Sequence, residues 1–177
     1  MGLKEAMPKR VVINLDILRA DPDCKAECSY PFQKPGALAG PSWLKQKAAF
    51  EVFCRRCDDH PCVDACPFEA LEQMEDGQIK RYNMRCTQCN SCMIACPFGT
   101  IIPAALVYRD AMCDLCVGRD APAPLCTTSC DCGAYRWEDV SDEDPQKDAG
   151  LFIVNGRMAV RTKKFTKVEP PLVRKKK

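Results

Sequence analysis

The sequence is poor in the materials from which acid–base sites, nucleotide pockets and membrane anchors are usually built. It has one histidine, His60, and shows no Ser/His/Asp arrangement, no phosphate loop and no GxGxxG, so neither general acid–base catalysis nor nucleotide binding is predicted. No stretch approaches the roughly 18 successive apolar residues of a membrane span, and no direct membrane span is expected. The first residues carry charge at Lys4 and Glu5. The one apolar run nearby, Val11 to Leu18, is interrupted by Asn14 and Asp16. No secretory or twin-arginine leader is therefore read, and a cytoplasmic protein is expected. Lys and Arg total 26 against 24 Asp and Glu, and the only dense basic run is Arg174 to Lys177, which gives no stripe for nucleic acid. Apolar side chains are scarce as well. The 46% hydrophobic content includes cysteine, and without it roughly 37% remains, thin for one well-filled core. Crosslinks must supply part of the stability.

Those crosslinks are visible as 15 cysteines, an odd number in repeated spacings, which in a reducing compartment favours metal over disulfides. Two near-copies stand out: Cys54-x2-Cys57-x4-Cys62-x3-Cys66-Pro67 and Cys86-x2-Cys89-x2-Cys92-x3-Cys96-Pro97. The second is the bacterial ferredoxin run, in which three close thiolates hold one cubane and the fourth ligates the neighbouring cluster. Structural zinc sites instead close one tetrahedron from two separated CxxC knuckles, which these triplets do not resemble. Swapping the fourth ligand groups Cys54, Cys57, Cys62 and Cys96 around one [4Fe-4S] cluster, and Cys86, Cys89, Cys92 and Cys66 around another. A third group, Cys113-x2-Cys116-x9-Cys126-x3-Cys130, carries an inserted nine-residue loop. Upstream only Cys24-x3-Cys28 remains of a fourth. The same template places Leu18 and Asp21 at its other two ligand positions, after a strand-like lead-in from Arg10 to Asp16. The swap then gives a third cluster to Cys28, Cys113, Cys116 and Cys126. The reciprocal set, Leu18, Asp21, Cys24 and Cys130, cannot hold one, because leucine does not ligate iron and aspartate is a poor substitute. Three clusters consume twelve cysteines. Cys24, Cys130 and Cys132 are left over and are read as relic thiols, ahead of a residual metal site or a disulfide.

The expected fold class is α+β: small, cluster-stabilised tandem bacterial-ferredoxin-like modules with a C-terminal β-hairpin. Residues 11–47 plus 107–140 would form the first module, with one cluster kept and one lost. Residues 48–106 would form the second, with two clusters, and 141–177 a hairpin and a basic tail. Secondary structure is expected to be short and local. Glu75 to Lys80 reads as a hairpin around Asp76-Gly77, a type I′ signal. Leu151 to Val160 reads as a second hairpin around Asn155-Gly156. An acidic loop, 139–148, joins the latter to the cluster region, and the Arg174 to Lys177 tail is expected to be disordered. His60 is read first as a solvated loop side chain and second as a tuner of cluster potential. Arg119 is weighed evenly between favouring a reduced cluster and a plain ion pair. Phe68, Met93, Ile94 and Phe98 are expected to shield the clusters from water.

The motifs in this order, with phrases such as FCRRCDDHPCVDACP (53–67) and CDLCVGR (113–119), resemble the four-cluster iron–sulfur subunits of molybdopterin and tungstopterin oxidoreductases, of the dimethyl sulfoxide reductase and formate dehydrogenase type. The likeness covers roughly Val11 to Tyr135. It implies a non-catalytic electron-transfer subunit with three [4Fe-4S] clusters, working between a larger tungsten- or molybdenum-pterin catalytic subunit and an external donor or acceptor. Further electron-transfer subunits or a ferredoxin are possible partners, and nucleic acid is not. Among such subunits, a three-cluster chain of this size resembles the small subunit of tungsten-dependent class II benzoyl-CoA reductase, which implies anaerobic aromatic metabolism. A free polyferredoxin, or a subunit of an aldehyde, formate or carbon monoxide oxidoreductase, is the alternative. The chain departs from the family pattern at Leu18 and Asp21, and at Asp131, where a proline usually follows the last cysteine of the motif.

Overall fold

The structure is a computed structural model that describes residues 8–30, 40–75, 77–82, 84–101, 113, 116 and 122–163. Its elements in chain order are β1 (Lys9–Asn14), α1 (Leu15–Ala20), α2 (Gly40–Phe53), α3 (Pro61–Asp64), β2 (Leu71–Gln73), β3 (Ile79–Arg81), α4 (Ser91–Ala95), α5 (Leu125–Thr128), β4 (Tyr135–Asp139), α6 (Asp144–Lys147), β5 (Leu151–Asn155) and β6 (Met158–Arg161).

Four strands form one sheet in the order β4-β1-β6-β5. β1 lies antiparallel to β4, with Val12 opposite Arg136, and parallel to β6, with Val12 opposite Ala159. The run KRVVIN is β-branched at its centre and buried from Arg10 to Ile13, as a strand covered on both faces must be. Val11 and Ile13 face the main core with Leu15, Leu18, Trp43, Leu44, Tyr135, Met158 and Val160. Val12 faces a smaller cluster with Val140, Leu151 and Ala159. Asn14 ends the strand and caps α1, its side-chain oxygen accepting from the N–H groups of Asp16 and Ile17 at 3.1 Å each. Arg10 is only 3% exposed. It donates to the Val140 carbonyl and to the Asp142 carboxylate, both at 2.6 Å, and so holds the start of the acidic loop against the sheet.

α2 is longer than the short local elements expected around cluster loops. It buries Trp43, Leu44 and Ala48 against the sheet core. It also carries a buried Glu51, paired with Lys47 one turn before it. Tyr135 on β4 donates to the Pro41 carbonyl at 2.7 Å and ties the helix start to the sheet.

β2 and β3 pair antiparallel. Their connection runs from Met74 to Gln78, not through a two-residue turn at Asp76-Gly77. Gly77, at φ 79°, donates to the Met74 carbonyl. Asp76 itself lies outside the described residues. β5 and β6 pair antiparallel around Gly156-Arg157, one residue later than the Asn155-Gly156 expected from the sequence. Here Asn155 caps the turn, its side chain accepting from the Arg157 N–H at 2.9 Å. This hairpin is not an appendage, because β6 is an inner strand of the sheet. Arg119 and the Arg174 to Lys177 tail lie outside the described residues. Among the described residues no helix is long and apolar enough to cross a membrane.

Candidate metal centres

Three small surface hollows are each lined by four cysteines. Cys66, Cys86, Cys89 and Cys92 line the first. Cys54, Cys57, Cys62 and Cys96 line the second. Cys28, Cys113, Cys116 and Cys126 line the third. Each set joins a close triplet to a cysteine from the other motif of its pair.

Two short helices carry the exchange between the first two hollows. α3 begins beside Cys62 at one hollow and delivers Cys66 to the other, while α4 runs from Cys92 back to Cys96. Both are too short to be stable alone. The loops before them are tightly coiled. Every non-glycine residue at positive φ among the described residues lies in or just after a cysteine motif: Arg56, His60, Glu69, Gln88, Asn90 and Cys116. Each such residue costs about 1–2 kcal/mol, so something bound within the loop has to offset the strain.

The electrostatics point the same way. Burial, then the nearby Cys54 and Cys96, push the Cys62 thiol up to about 11. Burial and the neighbouring Cys113, Cys116 and Cys28 push Cys126 up to about 12. Cys92 is raised by burial and by Cys66 and Cys86. Four thiolates packed so closely repel one another and require a cationic centre, so the donor sets fit iron–sulfur cubanes, which take four thiolates each. Other groups already favour the charged sulfurs. At Cys96 burial acts upward, yet hydrogen bonds from the Thr100 side chain and from backbone N–H groups outweigh it and lower the pKa. Cys89 is lowered by the Ser91 side chain and backbone N–H. The Ala70 N–H donates to Cys66 Sγ at 3.2 Å, and the Tyr30 N–H to Cys28 Sγ at 3.4 Å.

α2 spans the interval between two of the hollows. Its first turn, at Gly40, Pro41 and Leu44, lines the Cys28 hollow, and the chain leaves its last turn directly into Cys54. At about 1.5 Å per residue its length is roughly 20 Å.

Leu18, at the position of an erased ligand, is 4% exposed and belongs to the sheet core. Asp21 caps the end of α1. Cys24 and Cys132 form a disulfide, with Cys130 beside them, so two of the three leftover thiols are bonded and are not the unpaired relics expected. The shielding expected of Ile94 is not found, since it is 86% exposed and lines none of the three hollows, whereas Phe98, though 56% exposed, lines the Cys54 hollow. The five-residue α4 turns Cys92 inward and Ile94 outward. Phe98 reaches over Arg55, whose guanidinium sits 5.6 Å from its ring, and Phe68 is exposed at the rim of its hollow. His60 lies at a hollow's edge with its Nδ1 3.0 Å from an Asp64 carboxylate oxygen, partnered but exposed. Sequence reasoning did not single out Ser91 and Thr100, which stand two and four residues beyond their cysteines and whose hydroxyls lie 3.4 and 3.3 Å from Cys89 and Cys96 Sγ.

Comparison with known proteins agrees with this chemistry. Residues 46–140 match the 4Fe-4S dicluster domain. A ferredoxin of Methanocaldococcus jannaschii is 30% identical over 123 residues, covering 70% of this chain and 75% of its own length. YsaA of Escherichia coli (strain K12), named for electron transport, is 38% identical over 91 residues, 50% of this chain and 57% of that protein. A tetrathionate reductase subunit of Salmonella typhimurium is 33% identical over 114 residues, 63% of this chain and 45% of that protein. The chain thus spans only about half of the last two relatives. With the domain matched over more than half of its residues, and a ferredoxin matched along most of its length, the chain belongs to the 4Fe-4S dicluster ferredoxin family.

Proposed function

We propose that the chain is a non-catalytic electron-transfer subunit holding three [4Fe-4S] clusters, one in each cysteine-lined hollow. The observation that carries this reading is that each hollow is lined by four cysteines, a triplet plus one exchanged partner. Bound there, the clusters would supply one-electron transfer. The chain's own residues ligate, position and tune. The Ala70 and Tyr30 N–H groups and the Ser91 and Thr100 hydroxyls stabilise charge on the sulfurs, which raises a cluster's potential. The division into a first module (11–47 with 107–140), a second (48–106) and a C-terminal segment (141–177) belongs to the same proposal.

The partner in this reading is a larger tungsten- or molybdenum-pterin subunit, and the narrowest version is a class II benzoyl-CoA reductase acting in the cytoplasm. Support comes from the motif order and from relatives named as subunits of a tetrathionate reductase and a formate hydrogenlyase. Anaerobic purification of the full chain should yield about 12 iron and 12 acid-labile sulfide. Cys28→Ala should remove or convert one cluster, whereas Cys24→Ala should leave all three. Equal loss from both substitutions would break the assignment. Tungsten or molybdenum in a co-purifying larger chain tests the partner. A brown protein that elutes alone would favour a free polyferredoxin.

A further inference from the structure

At the place where a fourth cluster would sit, three sulfurs and a carboxylate converge. The Sγ atoms of Cys24, Cys130 and Cys132 and a carboxylate oxygen of Asp131 all lie within 4.8 Å of one another. Cys130 Sγ is 3.7 Å from both Cys24 Sγ and Cys132 Sγ. Zinc–thiolate bonds are about 2.3 Å long, so sulfurs on a tetrahedral ion stand about 3.8 Å apart. Thiolates at the corners of a cubane stand much farther apart, roughly 6 Å, because the iron–sulfur core lies between them. The two spacings from Cys130 are those of a single ion rather than a cubane, and the third pair, Cys24 and Cys132, is bonded and has to open before an ion can enter.

The site is held from outside the sulfurs. The segment around Cys24 is fastened to the segment around Cys130 by three hydrogen bonds: Lys25 N–H to Asp131 Oδ1 at 3.0 Å, Asp131 N–H to the Lys25 carbonyl at 3.3 Å, and Glu27 N–H to Ser129 Oγ at 2.8 Å. The first of these also orients the carboxylate, as partners of metal ligands commonly do. Cys24, Cys130 and Cys132 are partly buried and pack against the sheet core to which Leu18 belongs.

We infer that Cys24, Cys130 and Cys132, with Asp131 as the fourth donor, form a binding site for one tetrahedral divalent cation, zinc before others. The Cys24–Cys132 disulfide is the oxidised, metal-free form of this site. A dithiol such as dithiothreitol breaks that bond by delivering two electrons and two protons, and becomes a cyclic disulfide itself. The three thiols then release their protons as the ion binds. The inference concerns only these four residues and does not depend on what fills the other three hollows.

The test uses the full chain, purified anaerobically with its clusters, reduced with dithiothreitol and desalted after addition of zinc chloride. About one zinc per chain is expected. The zinc K-edge, which iron does not obscure, should show three sulfur neighbours at about 2.3 Å and one oxygen. Cys130→Ser should weaken retention tenfold or more in equilibrium dialysis, and Cys28→Ala should leave the zinc in place while losing a cluster. Because cysteine variants can misfold, Asp131→Ala provides a second reading, with the oxygen neighbour replaced by water and retention reduced. A bound ion that survives in a Cys24→Ser/Cys130→Ser double variant, a shell of four sulfurs, negligible zinc in the reduced protein, or about sixteen irons per chain would each overturn the inference.

Discussion

The sheet region and the stretch from Cys54 to Ile101 bury their side chains to very different extents. In the first, Val11, Val12, Ile13, Met158, Ala159 and Val160 are all nearly sealed from water, and α2 covers the face that bears Val11, Ile13, Met158 and Val160 with Trp43, Leu44 and Ala48. In the second, only Ala70, Leu71 and Ile101 are buried among the described residues, while Phe68, Met84, Ile94 and Phe98 are exposed. One region is held by apolar packing, where each buried aliphatic side chain contributes about 1.5–3 kcal/mol. The other has helices of four and five residues, a hairpin of three-residue strands, and eight cysteines. Its order has to come from what the cysteines hold. The scarcity of apolar residues across the whole chain is thus an average over a region with an ordinary core and one with almost none.

The strongest test of this contrast is to remove the metal. After acid or chelator treatment, amide hydrogen exchange across 54–101 should rise to the level of an unfolded chain, because ligand binding at such sites is folding free energy. The amides of β1 and β6 should keep substantial protection. If both regions melt together, the contrast fails.

Next in size is a cavity in the packed region. Ile13→Ala, at a fully buried position, should cost about 2–5 kcal/mol in denaturant unfolding. The electron paramagnetic resonance of the reduced clusters proposed between Cys54 and Cys96 should not change. A changed spectrum would show that the regions are coupled through more than the chain.

The join between α2 and the sheet comes third. Tyr135→Phe removes the hydrogen bond to Pro41 and strands a buried carbonyl, so it should cost about 1–3 kcal/mol. Burial, followed by the negative charges of Cys126 and Cys130, raises the Tyr135 hydroxyl well above its ordinary value, so it stays protonated and the bond should not weaken up to pH 10. Loss of stability between pH 8 and 10 in the native protein, absent from Tyr135→Phe, would contradict this.

The smallest effect is expected at Asp144, whose carboxyl is held below its ordinary value of 3.8 by the backbone N–H and side chain of Ser141. A depressed carboxyl stabilises the fold above its unfolded value and loses that contribution as pH falls through the folded one. Asp144→Asn should therefore narrow the stability difference between pH 5 and pH 3 slightly, as read from thermal melts. An unchanged difference would place the acid sensitivity elsewhere.

Legibility divides along the same line. The cysteine triplets could be read from the chain because their spacing is local, the exchange rule supplied a fourth thiol for each, and each such set of four lines one hollow. The sheet was harder to read. The run from Lys9 to Asn14 looks like a strand, but nothing within it says that residues 135–139 and 158–161 will be its neighbours. α2 carries apolar side chains on several faces, with Trp43 and Leu44 toward the sheet and Phe50 and Phe53 toward Phe98 and Gly99, so it presents no single apolar stripe. A disulfide among the three leftover cysteines ranks below unpaired thiols in the sequence because Cys132 lies outside the repeat and its partner is 108 positions away. The outward turn of Ile94 depends on the pitch of a helix too short to predict.

The parallel pairing of β1 with β6 bears on the order in which the protein is assembled. During synthesis β1 emerges early and waits, with one edge facing the site of β4 and the other that of β6, until nearly the whole described chain has left the ribosome. Pairing across such sequence separations is intrinsically slow. The stretch from Cys54 to Cys96 contains both of its proposed ligand sets and, in that reading, can close as soon as iron and sulfide are delivered. A cell short of sulfide would therefore be left with finished sheets attached to unfilled thiol loops, a species exposed to oxidation and aggregation. Loading of the clusters proposed at Cys54 to Cys96 is best timed before β6 arrives.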